Sequence, residues 1–398
     1  MDRNYIYQES WTGAELLTAK FPLVATTTRP HPKYIKDATA IPDMPIVDKT
    51  NVCSLDSIPS EHLVMQVRDL FDKQKTAKGY VQISKIGYVT HEVLLPWIRL
   101  HNVMDFAHHL KEMVRWLSEK DRDANKDDPF IKSLLLKLLS QNDIIQHRFP
   151  SPCGVHLSSK SILLFSGESW IDDEAVDGIL ATFQQKYGHR GSYLFIPTQM
   201  FSQWSRSYQS DSDQVSSLYP WNWNRNTVQA MMKEAKEKFD VKAFAVADLE
   251  GHWGAVCVDF VDKKILFGHS TDRGNHQLHV VFDVAKEWLQ ACGVPSKTWR
   301  IARLDVAQQK GASGSCGINA ANAIERCIEP SVESWNFERS RYHRLRYLRF
   351  LIEVRSLQVG QHRIVLESMQ LRSTDALLYS YSLPLFPGSR RRQQQQHG

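Results

Sequence analysis

Residues 308–325 read QQKGASGSCGINAANAIE. Gly and Ser dominate the first half and Ala and Ile the second, so a turn runs into a helix. Ser315 falls at the N-cap and Cys316 at the first helical position, while Ile318, Ala321 and Ile324 share an apolar face. A cysteine acts as a nucleophile only as its thiolate. A helix N-terminus favours that form through unpaired N–H groups and the positive end of the dipole. Far upstream, Gly251-His252-Trp253 opens a strand pattern. A Cys and a His that are distant in sequence and joined by the fold make the working pair of a cysteine hydrolase. A small buried cysteine opens a helix in the same way, so the surrounding motifs decide.

The chain has 398 residues, enough for two domains, and 42% hydrophobic content, enough for a real core. Its 49 basic and 44 acidic residues give a net charge of +5, too mild to argue for nucleic acid. The six cysteines form no C-x-x-C pair, which speaks against a zinc knuckle, and no metal or other cofactor is expected. Cys316 and Cys327 lie along one helix at a separation of roughly 16 Å, too far to bridge. The first ten residues lack the basic-then-apolar pattern of a signal peptide, and there is no stretch of eighteen apolar residues. Nucleus or cytoplasm is therefore the expected location, reducing enough for a free thiol, with no membrane partner.

Residues 1–60 are Pro- and Thr-rich and read as an extended, loosely ordered arm. Residues 61–150 read as a helical region, with helices expected at Glu61–Gln74, Val103–Leu117 and Phe130–Leu139. His101, His108 and His109 fall here without ligand spacing and read as solvated or core residues. Near residue 155 the pattern changes. KSILLF (160–165) reads as a strand, and the segment from Ser169 to Glu174 opens a helix bearing Val176, Ile179, Leu180 and Phe183. SYLFIP is a further apolar run, 205–218 a polar loop and Thr227–Lys238 a basic helix. Strand patterns follow at 242–249, 252–260 and 263–268, then a helix over Phe282–Cys292, a strand in WRIARLDV and the Cys316 helix. A helix over Arg341–Leu357 carries many arginines, and residues 358–398 form a partly low-complexity tail. Helices, then strands, then a Cys-headed helix predict an α+β domain over 155–357.

Four segments now stand in order: SWIDDEAV, GHWGAVCVDF, ILFGHS and QQKGASGSCGI. This series resembles the ubiquitin-like-protein protease family, the SUMO-type cysteine peptidases related to the adenovirus protease. That family carries a Trp-Leu-Asn-Asp segment, a His-Trp pair, an Asp-Ser pair, and a Gln before Asp-Cys-Gly. The resemblance covers roughly 165–350, about half of the chain. It implies a papain-like cysteine protease fold of the SUMO-protease type, here with an N-terminal helical extension. It implies Cys316 as nucleophile, His252 as base, and Gln309 as a side-chain donor to the oxyanion. Trp170 and Trp253 match the two indoles that close a tunnel over a Gly-Gly terminus, where only residues without a Cβ fit. Asp173 matches an acidic residue that pairs with the ubiquitin-like partner.

Three positions depart from the family. His269 stands where the family has Asp before Ser270. A neutral imidazole there could accept the His252 Nδ1 proton and hold orientation without supplying charge. Asp272 is the substitute carboxylate nearest in sequence, and Asp262 a weaker one. Loss of the corresponding carboxylate in a serine triad costs about 10⁴-fold in rate. Gln309 lies seven residues before Cys316, one more than the family spacing, and Ser315 replaces the family's Asp. The resemblance thus implies a peptidase acting after the Gly-Gly of a ubiquitin-like, SUMO-like modifier. The alternative is a catalytically impaired or inactive relative that binds a modifier or acts as a scaffold. The arginines of the last helix and of Arg390-Arg391-Arg392 read as a solvated face and a solubilising tail rather than a nucleic-acid site. GASGSCG lacks the Lys-Ser/Thr of a phosphate loop.

Overall fold

The computed structural model describes residues 11–25, 32–35, 46–47, 57–75, 79–83, 86–119, 128–151, 156–190, 192–198, 241–249, 251–271, 274–291, 294, 298–309 and 313–352. They belong to one compact unit, Met1–Glu353. The polar loop, the basic helix expected at 227–238, Asp272 and the tail lie outside the described residues.

The first half builds α1 (Gly13–Thr18), β1 (Leu23–Ala25), β2 (Lys33–Ile35), β3 (Ile46–Val47) and β4 (Ser57–Pro59). It continues with α2 (Glu61–Gln74), β5 (Tyr80–Ile83), β6 (Gly87–Val89), α3 (Leu94–Ser118) and α4 (Pro129–Ser140). Ser60 caps α2 and Asp128 caps α4, where Pro129 occupies the first turn. The region expected to be helical also holds β5 and β6, central in a four-stranded sheet of order β2-β5-β6-β3. Val64, Val67 and Phe71 of α2 pack on Val81, Val89 and Trp97 in a single buried cluster. The two strands are too short for alternation to announce them.

The second half opens with the paired strands β7 (Arg148–Pro150) and β8 (His156–Ser158), then α5 (Ser159–Leu163) and α6 (Asp173–Tyr187). KSILLF is thus mostly helix, not strand. Ser158 accepts a hydrogen bond from the Ser161 N–H and starts a helical turn that short apolar content alone does not announce. Asp172 caps α6 by accepting from the Ala175 N–H at 2.9 Å.

A five-stranded sheet forms the centre, in the order β13-β12-β11-β10-β9. Its strands are β9 (Tyr193–Ile196), β10 (Lys242–Asp248), β11 (Trp253–Asp259), β12 (Lys264–His269) and β13 (Arg300–Arg303). The pairs β10–β11 and β11–β12 are antiparallel, and the outer pairs are parallel. Helix α7 (Gly274–Ala291) covers one face with Val281, Val284 and Leu289 against Ala243, Ala245, Val256 and Phe267. Helix α8 (Cys316–Ile328) crosses β10, β11 and β12 and also meets α6. Every residue of β11 is therefore buried. The last helix, α9 (Ser340–Leu351), packs on α6 and α8. The architecture is α+β, as the pattern of elements predicts.

Candidate active site

The central strand and the Cys-headed helix bring two of the candidate residues together. Cys316 is the first residue of α8 and is fully buried. Its sulfur accepts backbone N–H groups from Trp253, Gly317 and Cys316 itself. The Trp253 N–H belongs to the residue directly after His252, so the sulfur lies against the turn that carries the imidazole. Gly317 makes this approach possible: a Cβ there would meet Ile171 at 2.7 Å and the Trp253 ring at 3.0 Å.

His252 ends the tight β10–β11 turn, which is closed by reciprocal backbone bonds between Leu249 and His252. Gly251 takes φ +77 in that turn, and its N–H donates to Asp248 at 3.0 Å. His252 Nδ1 lies 3.3 Å from the Trp253 carbonyl. A carbonyl only accepts, so that contact places the proton on Nδ1 and leaves Nε2 as the basic nitrogen. Among the described residues no carboxylate hydrogen-bonds His252.

His269 closes β12, opposite Gly254 of β11. Its ring lies against that of His252, with centroids 4.2 Å apart and planes at 36°. The sequence reading has His269 accepting the His252 Nδ1 proton, and the structure differs. His269 Nδ1 accepts the Thr271 N–H at 3.2 Å, while its Nε2 is buried with no hydrogen-bond partner among the described residues. The two rings meet at a tilt, and the acceptor for His252 Nδ1 is the Trp253 carbonyl rather than His269.

The electrostatics follow from this arrangement. Burial, and then the adjacent His269, push His252 down to about 4. Burial also lowers His269. Burial raises the Cys316 thiol, more than the three backbone N–H groups and the charge of Arg344 lower it. At neutral pH the resting pair is thus a thiol beside a neutral imidazole, not a thiolate–imidazolium pair.

Gln309 lies between β13 and α8. Its backbone N–H donates to the Ser270 carbonyl at 2.7 Å, and its Oε1 accepts from the Ser270 hydroxyl at 2.9 Å. Its Nε2 donates to the Ser313 carbonyl, so the side chain is fastened to the loop before Cys316. One Nε2 hydrogen is engaged there and the other is left for a further acceptor.

The two indoles differ. Trp253 is 9% exposed, and its Nε1–H donates to the Ile171 carbonyl at 2.9 Å. Trp170 is 47% exposed and stands edge-on to His252, with centroids 5.7 Å apart. Asp173 opens α6, and its Oδ1 accepts the Glu174 N–H at 3.0 Å.

The sequence reading misses two residues. Ser315 does not cap α8 with its side chain. Its hydroxyl instead donates to Glu168 at 2.7 Å and accepts from Arg344, whose Nη2 lies at 3.0 Å. Arg344 also donates to the carbonyls of Ser169 and Leu164, and it is fully buried. The Arg-rich helix is therefore not a solvated face. Arg346 binds Glu325 with two bonds of 2.6 and 2.7 Å, Arg341 lies 3.5 Å from Glu119, and Arg339 and Arg349 pair with Glu333 and Asp128. The signal for Glu168 is the Ser at position 315, where the resembled family carries its own carboxylate.

The sequence matches no family model and no curated protein. Among solved structures the chain is similar to the SUMO protease Ulp1 with its catalytic cysteine oxidised to a sulfenic acid. That likeness has 14% identity and a TM-score of 0.43 over 59% of this chain and 97% of the other. It is also similar to the C-terminal Ulp1 protease domain in complex with Smt3, the yeast orthologue of SUMO, at 13% identity and TM-score 0.40 over 62% and 91%. A third is the Ulp1-like SUMO protease catalytic domain of Chaetomium thermophilum, at 11% identity and TM-score 0.40 over 56% and 88%.

Proposed function

We propose that this chain is a cysteine peptidase of the SUMO-protease type, with a papain-like catalytic arrangement, acting after the Gly-Gly terminus of a ubiquitin-like, SUMO-like modifier. One observation carries the reading: the Cys316 sulfur sits at the start of α8, against the backbone of the residue that follows His252. The substrate class follows from the resemblance of the four motifs. Nucleus or cytoplasm, as the seat of such a thiol, belongs to the same proposal.

In this reading His252 Nε2 takes the Cys316 proton as the sulfur attacks the carbonyl of the terminal glycine. The imidazolium then returns that proton to the leaving amine, giving a thioester that water hydrolyses. The proton moves during attack, because the resting groups are a thiol and a neutral imidazole. The free Nε2 hydrogen of Gln309 donates to the developing oxyanion, joined by the Cys316 backbone N–H once the bonded sulfur releases it. Trp170, exposed beside His252, is the indole the tail meets, and Asp173 at the start of α6 takes a basic side chain of the modifier. Because Cys316 is covered at rest, entry of the tail displaces neighbouring side chains.

A second reading is a binder or scaffold that keeps the fold without turnover. The His252–His269 contact favours it, since burial and the adjacent ring oppose an imidazolium more than Asp248 supports one. SUMO-type and ubiquitin-type modifiers carrying a C-terminal electrophile separate the two. The expected result is a covalent adduct with wild type that Cys316→Ser abolishes. Binding without any adduct would establish the second reading, and neither binding nor adduct would remove both.

A further inference from the structure

We propose that Arg344 is a positioning residue for Cys316: through Ser315 it faces Glu168, fixes the loop that carries the sulfur, and holds a permanent positive charge behind it. The inference rests on the reading of Cys316 as the nucleophile.

A fully buried guanidinium with no directly bonded carboxylate among the described residues is costly, so its surroundings must explain it. Arg344 spends its donors on the loop before α6 and on the residue before the cysteine. Nη1 donates to the Leu164 carbonyl at 3.2 Å and Nη2 to the Ser169 carbonyl at 2.7 Å. Nε and Nη2 reach the Ser315 hydroxyl at 3.3 and 3.0 Å. That hydroxyl accepts from Arg344 and donates onward to Glu168 at 2.7 Å, and Ser313 donates to the same carboxylate oxygen. A cation, two hydroxyls and an anion thus span the turn from both sides. Gly314 lies inside this clamp: its N–H donates to the Glu168 carbonyl, and a Cβ would stand 2.2 Å from that oxygen. The carboxylate at the exposed Glu168 takes over from an acidic residue at position 315 itself, and it does so from a separate segment.

The charged and titratable groups around Cys316 and its neighbours His252 and Ser315 come from several elements. Arg344 comes from α9, Glu168 from the turn before α6, His252 and His269 from the ends of β11 and β12, and Asp248 from the end of β10. With both imidazoles neutral, Arg344 is the one lasting cation in this set. Its charge favours the thiolate.

The thiolate ultraviolet absorbance of Cys316 reports this directly in the full chain, as the difference between each variant and its Cys316→Ser counterpart across a pH titration. No substrate is involved, so the result stands apart from failure of the peptidase reading, which the modifier adduct tests. Arg344→Gln is expected to raise the midpoint by about one pH unit, a tenfold loss of thiolate at fixed pH. Arg344→Lys, which keeps the charge, is expected to restore most of that shift. Glu168→Gln, at an exposed position where the amide oxygen still accepts from both serines, is expected to lower the midpoint. A wild-type midpoint in Arg344→Gln, or equal upward shifts in Arg344→Gln and Arg344→Lys, would overturn the charge role. If Arg344→Gln does not fold, Glu168→Gln decides: an unchanged or raised midpoint refutes the proposal.

Discussion

At the scale of single residues, the proposed peptidase depends on His252 and His269. Burial pushes His252 down to about 4, so it stays neutral down to acid pH, and with the Cys316 thiol raised the proposed turnover is expected to climb beyond neutrality. Wild-type kcat/KM is expected to rise steadily from pH 6 to 9, with no plateau at neutral pH. His269→Asp supplies a carboxylate beside the imidazole. It is expected to raise kcat/KM at neutral pH by about tenfold and to move the acid limb toward neutrality. A fall in rate would mean that the buried ring, not a missing charge, matters at 269. The same groups couple folding to pH. Because the folded His252 binds its proton less readily than the unfolded ordinary value of 6.5, stability is complete above that value and is lost as pH falls toward 4. Lowered His269 acts in the same direction. Urea unfolding at pH 7 and pH 4.5 measures the loss, which should shrink in His269→Asp. The two indoles make separate predictions. Trp253→Ala should destabilise by about 3–5 kcal/mol, as for a buried aromatic. Trp170→Ala should leave the urea midpoint unchanged and weaken capture of the modifier tail.

At the scale of elements, much was legible in the sequence. The three central strands fall within a residue or so of their expected limits and α8 starts at Cys316 as expected, because burial on both faces of β11 and the apolar face of α8 write strong local patterns. KSILLF was not legible as a helix: its short apolar run suits either element, and the Ser158 cap decides. The candidate residues Cys316 and His252 stand in local motifs and could be singled out. Glu168 and Arg344 could not, since each acts through a contact with a distant segment. The same holds for Glu325, a fully buried carboxylate on α8. It accepts two bonds from Arg346, one each from the hydroxyls of Tyr187 and Tyr347 at 3.0 Å, and a longer one from Lys186. The pairs join α6, α8 and α9. Burial opposes its charge, but Arg346 and the other donors hold its carboxyl below the usual range. Glu325→Ala strips Arg346 of its bidentate carboxylate partner and should cost about 3–5 kcal/mol in urea unfolding.

On the scale of the whole molecule, α9 is the meeting point of the two halves of the sequence. Through Arg344 it touches the turn that carries the sulfur, and through Arg346 the buried end of α8. Its other side reaches back to the N-terminal helices: Arg341 pairs with Glu119 and lies over the Trp116 ring, and Arg349 pairs with Asp128 and lies over Phe130. No composition shift along the chain announces these contacts, since they join residues more than two hundred positions apart. They bear on how the protein can be cut. A fragment excised at residue 155, the place where the sequence pattern suggests a boundary, would strip two arginines of their acidic partners and two aromatic faces from the helix that braces Cys316. Such a fragment is expected to melt several degrees below the intact chain, by about 2–4 °C for each kcal/mol lost. Scanning calorimetry of both forms would show it. The first 150 residues would then behave as a brace for the active-site turn, and what looks like a dispensable leader would be part of the frame that keeps the thiol in place.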